Sequence, residues 1–397
     1  MGLASPASMY HQMRVRGLQR PATISVIFGA VLAFVYVLLQ SSAPWNLTSS
    51  HPRLGKEYKI PVRQIEGLAD AIADMWRPLA LDIHADNFTA WLWGDRGTPY
   101  VMPAKAKRHW TAPLGKDVLI LDVDTRPLEQ MRSKGRVQSD FRALFEDDQL
   151  TPRFAGMLNH YIYARIHGYD YKFIHASELT DRHQTWVKVP AIKEALLKYK
   201  FVVFADADAL FNQPDVPLEW MLNYWNVHPK TLVAMAEDPN SPTNQDPKGW
   251  VLWNTGFIVA QQGERTQELF RQWDDCPAGR QFPDCKRWAH DWAHEQAAFG
   301  HHLRYAWNKT DDLRAIACMD ANGAHHCGDR KCLGIYVSHH WGKKDEPIQD
   351  LWRLVTRAVT RYARQDRPDL IFKAFINPIR PPPNWAFYDE MLRFDEA

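Results

Sequence analysis

The chain has 397 residues, 46% of them hydrophobic and 12% aromatic, enough for one large α/β domain or two smaller ones with a full apolar core. Lys and Arg number 48 against 46 Asp and Glu, so the formal charge is only +2 and no nucleic-acid partner is expected. The 17 tryptophans supply core or sugar-stacking surface, with core burial the default.

From Thr23 to Leu39 the chain reads TISVIFGAVLAFVYVLL, within a stretch that carries no charged side chain between Arg20 and Arg53. This is a membrane-span candidate at the short end of the spanning range. Arg14, Arg16 and Arg20 precede it, which places the N-terminus in the cytosol and the rest of the chain in the lumen. A buried core helix or a signal peptide cleaved near Ser41 and Ala43 are the alternatives; Pro44 and the long preceding segment favour an uncleaved anchor. Sequons at Asn46, Asn87 and Asn308 and all five cysteines follow the span, as in a secretory-pathway enzyme. Asn46 lies close to the membrane, which leaves Asn87 and Asn308 as the glycosylation candidates. Cys276 and Cys285, close together in a loop with Pro and Gly, are the best disulfide pair, and Cys318, Cys327 and Cys332 leave one odd thiol.

Residues 41 to about 112 read as a stem and a partly folded prelude, with Ile65, Leu68, Ile72 and Met75 marking one amphipathic helix. From Lys116 onward strand and helix signals alternate: VLIL, PRFAGMLNHYIYARIHG, YKFIHA, then PAIKEALLKYKFVVFADADALF, TLVAMA and TGFIVA. That βαβ rhythm predicts an α/β fold with a largely parallel sheet. Helical patterns follow over 264–273 and 288–299, then a helix after Asp345 and the Pro-rich PIRPPP. No Walker A loop, G-x-S-x-G elbow or dinucleotide fingerprint is present, which removes the usual nucleotide-hydrolase, serine-hydrolase and Rossmann oxidoreductase readings.

The most informative segment is Pro190 to Phe211. Pro190 suits the first turn of a helix, where its missing N–H costs nothing, and Ile192, Ala195, Leu196 and Tyr199 recur at helical spacing. Phe201 to Ala205 is a continuous apolar run suited to a strand covered on both faces, and ligands of such sheets bind beyond the strands' carboxyl ends. Asp206 and Asp208 then project to one side with the small Ala207 between them, and so offer hard oxygen ligands to Mn²⁺ or Mg²⁺. A second copy of the pattern, Asp122-Val123-Asp124, is a rival metal site, a nucleotide contact or a solvated turn; the helix, strand and downstream histidine that accompany Asp206 and Asp208 favour the first pair.

Four motifs occur in order: WVKVPAIKEALLKYKFVVFADADALF, WNTGFIVAQ, WAHEQAAF and VSHHWGKK. Together they resemble the family 34 type of glycosyltransferase, type II membrane enzymes that include fungal α-galactosyl- and α-mannosyltransferases and plant xyloglucan xylosyltransferases, over roughly residues 115 to 345. The resemblance implies a GT-A-type fold with a mixed, mainly parallel central sheet, a divalent metal, a sugar-nucleotide donor and retention of anomeric configuration. It makes Asp206 and Asp208 the metal-binding D-x-D and His339 the later metal ligand, with the adjacent His340 leaving the register open. It assigns Gly342 and Lys344 to the diphosphate and Asn254 and Gly256 to the sugar-binding face; Lys188, from the first motif, and Asp124, from the second D-x-D copy, are further donor-binding candidates. Gln296 falls near the anomeric carbon, and Glu295 binds sugar hydroxyls or the acceptor. The catalytic group is then Gln296, Glu295 and Asp208.

The implied organisation is a cytosolic tail (1–20), a membrane anchor (21–40), stem and prelude (41–112), a lumenal catalytic domain (113–345) and a C-terminal extension (346–397), in the Golgi membrane. The partners are a UDP- or GDP-sugar, a glycan or glycoprotein acceptor, the membrane and a possible glycosyltransferase complex. Three rival readings remain, one of them a non-catalytic partner in an enzyme complex. His290 and His294, at i and i+4 on an expected helix, suggest a zinc hydrolase, though without the expected Glu or a third ligand. A membrane-tethered carbohydrate-binding module would use the carboxylates for Ca²⁺.

Overall fold

The computed structural model describes residues 63–90, 97–126, 151–325 and 331–366. The span candidate at 23–39, Asn46, Cys327 and the Pro-rich tail lie outside them. Among the described residues, no helix is long and apolar enough to cross a membrane.

Helix α1 (Arg63–Trp76) buries Ile72, Ala73 and Trp76. A hairpin of β1 (Asn87–Ala90) and β2 (Thr98–Val101) follows, and its Phe88 and Tyr100 pack on Trp220 and Tyr336. Strand β3 (Val118–Asp124) leads through residues outside the described set to α2 (Pro152–His167). That helix has a full set of end signals: the Thr151 hydroxyl accepts from Phe154 N, Pro152 opens the first turn, and Gly168 closes it at φ 73°. After β4 (Asp170–His175) and a 3₁₀ turn, α3 (Lys188–Ala195) places Pro190 in its first turn and feeds β5 (Phe201–Ala205). Every residue of β5 is buried, as its continuous apolar run requires; each large side chain so buried contributes about 1.5–3 kcal/mol.

Beyond β5 come β6 (Ala209–Phe211), α4 (Leu218–Tyr224), β7 (Val233–Glu237), β8 (Trp253–Gln261) and α5 (Glu264–Asp274). The short α6 (His294–Ala298), β9 (Leu313–Ile316), β10 (Val337–His339) and α7 (Glu346–Asp366) complete the described chain. Six strands form the central sheet in the order β4-β3-β5-β8-β7-β9. It is mixed and mainly parallel, as expected: β3 runs parallel to β4 and β5, and β7 parallel to β9. The plain βαβ rhythm fails at one place, because β8 is antiparallel to both its neighbours.

Two further expectations differ from the structure. Residues 288–299 are not one helix: a 3₁₀ segment ends at Ala289, and α6 begins only at His294, whose φ is 54°. Nor are α1 and α7 outlying parts of a stem and an extension. Both pack on α2, and α7 buries Leu351, Leu354 and Ala358, so the folded body reaches past 113–345 at either end. Of the three remaining cysteines, Cys318 and Cys332 are bonded, while Cys276 and Cys285 pair as expected.

Candidate active site

The sheet topology brings the two halves of the site together. Strand β6 leaves the central sheet and pairs antiparallel with β10, with Ala209 opposite His339. Asp208 O accepts from His340 N at 2.8 Å, and Asp206 N donates to Gly256 O on β8 at 2.8 Å. Ligand atoms of Asp206, Asp208 and His339 consequently lie within 4.8 Å of one another. The adjacent His340 points elsewhere, fully buried, with Nε2 at 2.6 Å from Asp350 Oδ2 and 3.1 Å from Ser338 Oγ. Of the two histidines, His339 is the one placed beside the carboxylates.

The D-x-D turn is gripped by one face of α2, a feature that no motif announced. A Cβ on Gly156 would stand 1.9 Å from Ala207 O, so only glycine lets the helix approach this closely. One turn on, Asn159 makes two bonds to the Phe211 backbone, accepting from its N–H at 2.8 Å and donating to its carbonyl at 3.1 Å. His160, fully buried, bridges Asp122 Oδ1 at 2.9 Å to Ala209 O. Both of its ring nitrogens face acceptors, which favours the imidazolium. Burial pulls its pKa down, but Asp122 and the carbonyl outweigh that and the net shift is upward. Tyr163 stacks on Phe211 with ring centroids 3.8 Å apart.

The donor set suits a hard divalent cation: two carboxylates and one imidazole. The imidazole is prepared for the part. His339 Nδ1 lies 2.9 Å from Asn322 Oδ1, and the Asn322 amide is oriented by donating to Asp238 Oδ1 at 3.0 Å and to Glu237 O at 2.9 Å. That carbonyl accepts a hydrogen bond from Nδ1–H, which turns Nε2 toward the carboxylates, 3.6 Å from Asp208 Oδ1. Gly256 makes room for the ring, since a Cβ there would lie 2.2 Å from His339 Cε1. Its missing side chain thus seats the histidine, while its backbone lines the cavity beside Asn254. Gly342, by contrast, sits in open space with nothing near its missing Cβ.

Two lysines neutralise the carboxylates. Lys188, 4% exposed, donates to Asp206 at 3.0 and 3.2 Å and to Thr255 O at 3.2 Å, and pairs with Glu295 at 3.3 Å. Burial lowers its pKa, yet Asp206 and Glu295 more than reverse this. The exposed Lys344 bonds Asp208 Oδ2. Burial pushes the Asp208 carboxyl upward, but His339 and Lys344 hold it well below the usual carboxylate range.

Glu295 occupies a different place from the one expected. Its carboxylate is 3% exposed and accepts from Thr185 and, at 2.9 Å, from Thr255, besides facing Lys188. With its acceptor sites filled internally, it positions Lys188 and the Thr255 side chain of β8 and is not a group for sugar hydroxyls. Gln296 lines a cavity, its Nε2 donating to Asp238 Oδ2 at 2.7 Å and its Oε1 accepting from Thr255 N at 3.3 Å. Asn254 also donates to Asp238, at 2.9 Å, and accepts from Gly256 N at 2.7 Å. Asp238 is thus a hub joining Asn254, Gln296 and Asn322. Its burial raises its pKa against those three amides. It was missed because Asp-Pro-Asn-Ser-Pro reads as a turn.

The cluster separates two open cavities. One, of about 760 Å³, runs from Asp206 and Lys188 past Asp124, Arg126 and Arg153. Here Asp124 is 5% exposed and bonds Arg126 at 2.8 Å, with Arg153 at 3.4 Å, so it is no solvated turn; burial raises its pKa and Arg126 more than compensates. The Nε and Nη1 atoms of Arg153 make no hydrogen bond. The other cavity, of about 580 Å³, holds Asp238, Asn254, Gln296 and His339, with Trp292 and Trp341 among its walls. The zinc alternative loses its geometry in the same region. His290 precedes the start of α6, and His294 stacks on His183 with centroids 3.7 Å apart.

Residues 155–313 match the galactosyl transferase GMA12/MNN10 family model, so the chain carries a glycosyltransferase domain and is an enzyme that transfers sugar. The matched stretch contains Asp206, Asp208, Asn254 and Gln296, while Asp124, His339 and Lys344 lie beyond it. No curated protein matches the chain significantly. Among solved structures, the chain is similar to a glycosyltransferase involved in the glycosylation of the major capsid of PBCV-1, at 12% identity and TM-score 0.43 over 59% of this chain and 98% of that one. It is also similar to the galactosyltransferase LgtC in complex with donor and acceptor sugar analogs, at 11% identity and TM-score 0.33 over 60% and 95%.

Proposed function

We propose that this sugar-transferring enzyme is a metal-dependent, retaining glycosyltransferase of GT-A type, which moves a hexosyl or pentosyl group from a UDP- or GDP-sugar to a glycan or glycoprotein. The observation that carries this reading is the meeting of Asp206, Asp208 and His339 between two cavities. The cavity with Asp124, Arg126 and Arg153 suits the nucleotide, since its guanidinium groups carry positive charge and N–H donors for phosphate oxygens. The cavity with Gln296 and Asn254 suits the sugar.

Asp206, Asp208 and His339 would hold Mn²⁺ or Mg²⁺, which supplies positive charge for the departing diphosphate. The exposed Lys344 adds a second charge there, while the buried Lys188 holds Asp206 in place. Retention is best served by front-face attack, in which the acceptor hydroxyl bonds to the anomeric carbon as the C–O bond to phosphate breaks and the leaving phosphate oxygen takes the proton. The carboxylates nearest the sugar support this. Asp206, Asp238 and Glu295 each already bind an amide, ammonium or hydroxyl group, and none is presented as a free nucleophile. Gln296, fixed through Asp238 and Thr255, would then orient the sugar and stabilise positive charge at the anomeric centre by its carbonyl dipole.

The same reading puts the domain in the Golgi lumen behind a type II anchor at 21–40. Support comes from two disulfides, which persist in oxidising compartments, and from the exposure of Asn87 and Asn308.

The test is nucleotide release from a panel of UDP-galactose, UDP-glucose, UDP-xylose and GDP-mannose, with and without Mn²⁺. Release should be metal-dependent and confined to a narrow donor set, and Asp208→Asn should lower it by about 100-fold or more. An Asp208→Asn protein with unchanged rate and metal dependence would refute the site.

A further inference from the structure

Large apolar side chains are seldom left in water next to a cavity without a ligand to cover them. Among the described residues, five are exposed: Val101, Leu197, Trp250, Trp292 and Trp341. Two of the three tryptophans line one cavity, the one that contains Gln296. Trp292 is 85% exposed and Trp341 41%. They come from separate loops, one entering α6 and the other between β10 and α7, and each is a few residues from a group of the reaction centre: Trp292 from Gln296, Trp341 from His339 and Lys344. Thr243 and Asn244 form another part of the wall and bring uncharged hydroxyl and amide groups.

A pyranose ring matches that combination, with an apolar C–H face for an indole and equatorial hydroxyls for amides. The donor sugar must lie at the inner end, where the cavity meets Asp206 and Lys188 on the way to the nucleotide. The exposed indoles are left over at the solvent side.

We infer that Trp292 and Trp341 form the acceptor subsite, and that the acceptor is an oligosaccharide whose sugar ring stacks on these indoles, not a peptide hydroxyl. The inference rests on the proposed sugar transfer for its chemistry, but binding can be measured without it. Short mannose, galactose and glucose oligosaccharides are titrated calorimetrically onto the full chain in the presence of Mn²⁺ and UDP or GDP. At least one series should bind, Trp292→Ala and Trp341→Ala should each weaken it by about tenfold, and Trp292→Phe should recover most of the loss. Trp250→Ala, an exposed tryptophan off the cavity, serves as the control and should leave binding as it is. In the transfer assay the two alanine variants should raise the acceptor KM and not the donor KM. Oligosaccharide affinity unchanged in both variants, no oligosaccharide binding at all, or transfer to Ser- and Thr-containing peptides in place of oligosaccharides overturns the inference. Failure of nucleotide release in the wild type instead overturns the proposed function, whatever the glycan titration shows.

Discussion

Asn322 acts on the reaction centre through one bond, that to His339 Nδ1. Its own amide hydrogens are committed to Asp238 and Glu237, so its carbonyl cannot flip away, and the histidine is held in the tautomer that a metal ligand needs. Asn322→Ala should lower Mn²⁺ affinity by about 10–100-fold, read as a raised metal concentration for half-maximal activity, with maximal rate at saturating metal largely restored. A variant with unchanged metal dependence would show that the bond is merely structural. At this scale legibility was uneven. Asp206 and Asp208 stood out because an apolar strand points at them, and His339 because it sits in a chain of motifs. Asp238 and Asn322 had no such marker, since single polar residues in turn-like sequence gain a role only when strands far apart in sequence deliver them to one another.

Among the elements, α2 decides how firmly the D-x-D turn is held. Its Gly156, Asn159, His160 and Tyr163 fall at i, i+3, i+4 and i+7, one face of a helix, and all four meet residues 207–211 or their backbone. Gly156→Ala would favour the helix by intrinsic propensity, yet the added methyl would collide with Ala207 O. The collision should win. We expect a net destabilisation of about 1–3 kcal/mol by thermal or chemical unfolding, with a fall in metal-dependent activity larger than the stability loss explains. The caps of α2 made its ends readable from sequence; its grip on the turn was not, because a glycine inside a helix names no partner. Likewise 288–299 carried helical periodicity throughout, and the break before His294 reflects packing that periodicity does not encode.

For the whole molecule, stability is tied to a buried acid away from the cation cluster. Asp320, 7% exposed, lies among aromatic residues and accepts from Trp225 Nε1 at 3.1 Å. Burial raises its pKa from 3.8 to about 6, only partly offset by that bond. Because the folded state binds the proton more tightly than the unfolded chain, the contribution is fully present below pH 3.8 and is lost as pH rises through about 6. Asp320→Asn keeps the acceptor and removes the titration. Its unfolding free energy should rise relative to wild type by roughly 2 kcal/mol between pH 4 and pH 7, and a constant difference across that range would contradict the assignment. The layered α/β architecture itself was foreseeable from alternating apolar runs. The reversal of β8 was not, because the Val, Ile and Ala of its run suit a buried strand of either direction.

The two ammonium groups on the aspartates have a thermodynamic consequence. Lys188 and Lys344 already satisfy Asp206 and Asp208, so a cation arriving alone competes with charges that are in place. When it arrives with a nucleoside diphosphate, the exposed Lys344 can move its charge from Asp208 to phosphate and loses no partner. Free energies of the two ligands are then linked: whatever factor the nucleotide adds to the cation's affinity, the cation must return to the nucleotide's. Under the proposed function, such a centre would resist loading by metal alone and fill as one unit when the donor is present.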